Sequence, residues 1–162
     1  MITIKYSTPK NIKAEIEKKL AKYKSATVNV GFLKGTYPNG VSFGDVAFWN
    51  EFGTWNIPPR PFFTTCVEKN NKIWGNTFTA LSKKDSAPVA LKRLGVVIKQ
   101  DIQQSIEEFD TPENAYVTIH GGKVRTKFGK IIIIKGKGFD DPLIHTGAMR
   151  NSVDWEYKEN KK

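Results

Sequence analysis

Residues 47–63 read AFWNEFGTWNIPPRPFF and place six aromatic residues, three prolines and one arginine in seventeen positions. Residues 45–52 have the length of a short helix, and Gly53 stands where a helix commonly ends in a left-handed residue. Ile57-Pro58-Pro59 then runs extended, because proline fixes its own φ and pushes its predecessor out of the helical region. Pro61 falls in the first turn of the next amphipathic segment, which tolerates its missing N–H. The stretch reads as helix, stop, stiff bridge and restart, a corner with aromatic side chains on both sides. Few catalytic devices need such a segment, whereas a rigid element that docks on another protein does.

Working outward, residues 9–24 read as a helix, with Ile12, Ile16, Leu20 and Tyr23 on one side and lysines on the other. Residues 26–33 alternate Val28, Val30 and Phe32 with smaller or polar neighbours, a half-buried strand. Residues 61–81 form a long amphipathic helix through Phe62, Cys66, Ile73, Trp74, Phe78 and Leu81. A third long helix opens at Ser86-Ala87-Pro88 and runs to about Phe109, with Leu91, Leu94, Ile98, Ile102 and Ile106 at 3–4 spacing; Gly95 weakens it without breaking the pattern. From Ala115 the pattern becomes β-like. Residues 116–120 and 131–135 flank a Gly-rich basic sequence and predict a long hairpin over residues 115–138. Asp140-Asp141-Pro142 is a turn, residues 146–150 a helical turn, residues 152–157 a last strand, and residues 158–162 a frayed polar tail. The expected fold is α+β in one domain over residues 1–162: about three helices on a small antiparallel sheet, plus a protruding basic hairpin.

The chain has 162 residues, enough for one proper core. It holds no apolar run of about eighteen residues, the minimum for a membrane span. The N-terminus lacks a secretory apolar core, and Cys66 is the single cysteine, so folding in a reducing cytoplasm is expected. The net charge of +10 is concentrated: residues 1–24 hold seven lysines against two glutamates, and residues 121–138 hold six Lys/Arg and no acid. Such a balance calls for acidic surroundings, either DNA or an acidic protein surface.

Residues able to do chemistry are sparse. Cys66 lies on the apolar side of a helix and reads as core. His120, His145, Asp140 and Asp141 lack the close spacing of metal ligands. Glu107-Glu108 diverge on a helix, and no GxxxxGK[ST] or GxGxxG run is present. No cofactor, metal or catalytic residue is expected, and the chain reads as a non-enzyme.

Two segments read as contact surfaces. In the aromatic corner, Phe52 and Phe62 are assigned to the core. Trp49, Trp55 and Phe63 are assigned to contact with another chain, since aromatics and arginine are enriched at interface centres. Arg60, between prolines, is expected to grip the Glu51 carboxylate with its fork. The second segment, GGKVRTKFGKIIIIKGKG, divides between two readings. Ile131 and Ile133 suit a strand lying on a neighbouring subunit, guarded by flanking lysines. Lys123, Arg125, Lys127 and Lys130 suit contact with DNA phosphates.

The corner also carries a resemblance. Asn50-Glu51-Phe52-Gly53-Thr54 followed by Ile57-Pro58-Pro59-Arg60-Pro61-Phe62-Phe63 is similar to the signature of bacteriophage tail-completion and minor tail proteins. A second match, PLIHTGAMRNSV at residues 142–153, resembles the same family, and together the matches cover roughly residues 26–158. His145 stands where that family usually has an acid, and residues 121–138 are longer. The resemblance implies a structural virion protein that completes the tail or joins tail to head as a ring, a hexamer, around the DNA channel. Its implied partners are sister copies, connector, tail-terminator or tail-tube proteins and the passing double-stranded DNA, with no membrane. Its implied places are the neck or tail of the virion and the host cytoplasm during assembly. The corner and residues 143–153 are expected to pack together. A basic nucleic-acid-binding accessory protein is the alternative, and an enzyme using Cys66 or the histidines a third reading.

Overall fold

A computed structural model describes Lys18 and residues 26–159. The helix expected over residues 9–24 falls outside the described residues, Lys18 apart. In chain order the elements are strand β1 (Ala26–Gly31), helices α1 (Phe43–Phe52), α2 (Phe62–Lys84), α3 (Ala87–Glu107) and α4 (Tyr116–His120), strands β2 (Gly122–Arg125) and β3 (Ile131–Ile134), helix α5 (Ala148–Ser152) and strand β4 (Asp154–Glu159). The protein is mixed α+β, with two small antiparallel sheets among the described residues.

α2 and α3 form a helical hairpin, and α3 carries the β1–β4 pair on its other side. Val28 and Val30 of β1 face the helix with Trp155 and Tyr157 of β4, their register partners, while Thr27, Asn29 and Glu156 take the other face. Gly95 is the residue that lets sheet and helix meet. A Cβ there would lie 2.8 Å from Val28 Cγ2 and 3.1 Å from the Trp155 ring, so the residue that weakens the helix locally makes the tertiary contact. The core gathers Ala47 of α1, Phe62 and Cys66 of α2, Ile102 and Ile106 of α3, and Leu143, Met149 and Val153. The corner and the residue 143–153 motif therefore share one core.

Several boundaries differ from the sequence reading. The β-like alternation at residues 116–120 is a helical turn, with Thr118 and Ile119 N–H groups both donating to Ala115 O and Tyr116 stacking on His120. The hairpin is accordingly shorter, spanning β2 and β3 alone. Behind it the chain returns along α4 through Lys137 N–H to Thr118 O and Gly138 N–H to Ile119 O. The expected small sheet is the β1–β4 pair, and the expected hairpin stands apart from it as the β2–β3 pair. At the C-terminus, Lys158 and Glu159 are not a loose tail: they pair with Thr27 and Ala26.

Candidate interaction surface

α1 starts at Ser42, whose Oγ accepts the Asp45 N–H at 2.9 Å, and stops at Gly53 with φ +76°. A Cβ on Gly53 would sit 2.9 Å from both Ile57 O and Pro59 N, so the chain can double back tightly only there. Thr54 closes the loop, its N–H donating to Ile57 O and its Oγ1 accepting the Ile57 N–H. Arg60 N–H then reaches back to Asn50 O at 2.6 Å.

Glu51 and Arg60 are both buried, and they do not grip each other. The Glu51 carboxylate accepts the Phe63 and Thr64 N–H groups, each at 2.9 Å. It thus caps α2, whose own N-cap position is Pro61 and offers no side-chain acceptor. A carboxylate at a helix N-terminus satisfies orphan donors and complements the positive end of the dipole. Arg60 turns the other way, its Nε donating to Pro112 O at 3.2 Å and Nη2 to Glu113 O at 3.1 Å. Burial pulls its guanidinium below the usual arginine value, opposed by the nearby Asp140 charge. The expected Arg60–Glu51 fork is therefore replaced by two separate ties. A charge at a helix end and a planar fork on two carbonyls satisfy more backbone groups than one ion pair would.

A further tie holds the base of the hairpin. Asp140 Oδ1 accepts the Asn114 backbone and side-chain N–H groups at 3.0 and 2.7 Å; these bonds hold its carboxyl below the usual range. Lys137 donates to the Asp141 and Ile144 carbonyls and lies 4.8 Å from the Phe139 ring centroid. Partial burial lowers its ammonium below the ordinary lysine value. This lysine from the basic stretch is thus a structural clasp, a role that charge counting does not signal.

What is left exposed is the aromatic and basic surface. Trp49 is part-exposed and Trp55 89 % exposed, while Phe63 is half-buried against the core. Phe62 is core as expected, but Phe52 is 63 % exposed, its ring 4.7 Å from that of Phe48. A ten-residue helix can turn only one stripe inward, and Ala47 and Glu51 occupy it. On the hairpin, Arg125 pairs with Ile131 and Lys123 with Ile133. Directly opposed residues in an antiparallel ladder point to the same side. Those two isoleucines and two cations therefore share one exposed face. Lys127 and Lys130 lie in the turn, and Lys127 Nζ is 5.5 Å from the Trp55 ring centroid. Corner and hairpin, 72 positions apart in sequence at Trp55 and Lys127, meet at that pair.

Groups able to do chemistry do not converge. Cys66 is buried, and burial pushes its thiol up. No cluster of His, Cys, Asp and Glu able to hold a metal occurs among the described residues. Glu107 pairs with Arg150, while Glu108 accepts from Gln104. No helix among the described residues is long and apolar enough to cross a membrane. No protein-family model, curated protein or solved structure matches this chain.

Proposed function

We propose that the chain is a structural virion protein of a tailed bacteriophage, completing the tail or joining tail to head as a ring of sister copies around the DNA channel. The observation that supports this best is the meeting of the corner and the hairpin at Trp55 and Lys127. It joins an exposed tryptophan to a lysine of the exposed hairpin, on a backbone braced by Glu51, Arg60 and Lys137. Exposed aromatic side chains on a rigid backbone suit protein contact, because little side-chain freedom is lost on binding. In this role the protein performs no reaction. The corner and the residue 142–153 motif, which carry the family resemblance, supply the frame, with Glu51 and Arg60 as internal braces, and Trp55, Ile131 and Ile133 as contacts to neighbouring subunits.

The test is complementation of assembly with Trp55→Ala combined with Ile133→Glu. Both positions are exposed, so the fold should stay intact by circular dichroism. Unjoined heads and tails are expected; a normal yield of joined, infectious particles refutes the reading.

One observation favours the accessory nucleic-acid reading: Lys123, Arg125, Lys127 and Lys130 are all exposed on one short hairpin. Under that reading the free chain is retained on DNA at low salt and loses retention when all four are neutralised.

A further inference from the structure

Beside the corner lies a cleft of about 170 Å3 between α1 and the start of α2. Its walls are Phe32, Ala47, Phe48, Phe52, Phe62 and Phe63, with Glu51 and Thr64 its polar lining residues. An apolar cavity of about 150 Å3 is enough to take up one benzene ring. Among the described residues, no aromatic side chain beyond those walls lines the cleft. At the hairpin tip Phe128 is 94 % exposed. The tip is closed by Thr126 N–H to Lys130 O at 2.7 Å, Gly129 N–H to Thr126 O at 2.9 Å and Lys130 N–H to Thr126 Oγ1 at 3.1 Å.

We propose that the Phe128 tip of one copy seats in the Phe48–Phe52 cleft of a second copy. The inference rests on the assembly reading above and names its contact. Charge selects the occupant. Between Lys34 and Arg60 the exposed acid is Asp45, Glu51 being buried in its cap on α2, and the intervening chain carries no base, whereas residues 121–138 carry six bases and no acid. Asp45 is exposed, precedes Phe48 by three positions and Phe52 by seven, and so lies on the same helical stripe as the cleft's outer wall. None of the ion pairs among the described residues engages it. Lys127 and Lys130 flank Phe128 and would bring cations to that acid. The tip is already closed by backbone bonds, so docking it orders little further chain. Tip and cleft are different surfaces of one chain, so each copy offers one of each and the contact is head-to-tail. Contacts of that kind close into rings when the rotation permits.

Full-length Lys130→Cys chain is mixed with full-length Thr64→Cys chain and treated with a short thiol-reactive cross-linker. Thr64 lies on the cleft wall and leaves its aromatic lining intact; buried Cys66 stays out of the reaction. Mixed cross-links are expected about tenfold above those of Lys130→Cys with Ile73→Cys, an exposed position on α2, because docking raises the local thiol concentration. Equal yields overturn the proposal. In sedimentation velocity, Phe128→Ala is expected to weaken self-association by about tenfold with the circular dichroism unchanged. An assembling protein indifferent to Phe128→Ala sinks this contact and leaves the assembly reading standing. A wild-type chain that stays monomeric sinks both.

Discussion

Replacing Glu51 should destabilise the protein from inside, although it belongs to α1, whose aromatics Phe48, Trp49 and Phe52 are exposed. In Glu51→Ala, the Phe63 and Thr64 N–H groups lose their acceptors at 2.9 Å within a part-buried environment. Hydrogen bonds to a charged group contribute about 1.5–3 kcal/mol each, and a lost cap costs about 0.5–2 kcal/mol. The two bonds share one carboxylate and one helix end, so their losses overlap. A combined cost of about 3 kcal/mol is expected. Glu51→Gln retains one carbonyl acceptor but loses the charge and turns an N–H-bearing amide towards the other donor, so it should fall between wild type and Ala. Urea unfolding followed by far-UV circular dichroism, with unchanged m-values, measures the series. A loss below about 0.5 kcal/mol for Glu51→Ala, the scale of a neutral surface change, would refute the capping role.

Arg60→Lys keeps the charge but not the planar fork that spans Pro112 O and Glu113 O; thermal unfolding should show a loss of about 1–3 kcal/mol. Gly95→Ala gains helix propensity of about 1 kcal/mol, yet drives a methyl to 2.8 Å from Val28, and overpacking costs about 1–3 kcal/mol. A net loss of stability in denaturant titration is expected; a net gain would show that β1 yields to the helix. The folded-state carboxyl of Asp140 is held below the ordinary aspartate value of 3.8, so its contribution is present above that pH and fades as pH falls through the lower folded value. Asp140→Asn, compared with wild type by unfolding midpoint across acid pH, should therefore show a flatter acid limb below about pH 4 and little change in slope at neutral pH.

Much of the helical frame was legible because hydrophobic periodicity is a local property. Leu91, Leu94, Ile98, Ile102 and Ile106 announce α3, and Gly53 with Pro61 marks both ends of the corner. The hairpin base misled because residues 116–120 alternate like a strand while their N–H groups close on Ala115. Five residues carry too little period to separate the two. Phe52 misled similarly: composition says that a phenylalanine prefers the interior, but only the set of helix angles around α1 decides which residues face it.

The amino-acid order alone settled that α1, α2 and α3 are helices, that Cys66 would be interior, and that six bases would crowd onto one ribbon, since propensity, capping and burial preference act within a few residues. The partners of Glu51 and Arg60, the clasp made by Lys137, the shared face of Ile131, Ile133, Lys123 and Arg125, and the approach of Lys127 to Trp55 were fixed by three-dimensional packing. Each depends on backbone donors, acceptors and rings brought together from distant segments. An ionisable side chain takes whichever partner best satisfies it there, and no local pattern encodes that choice.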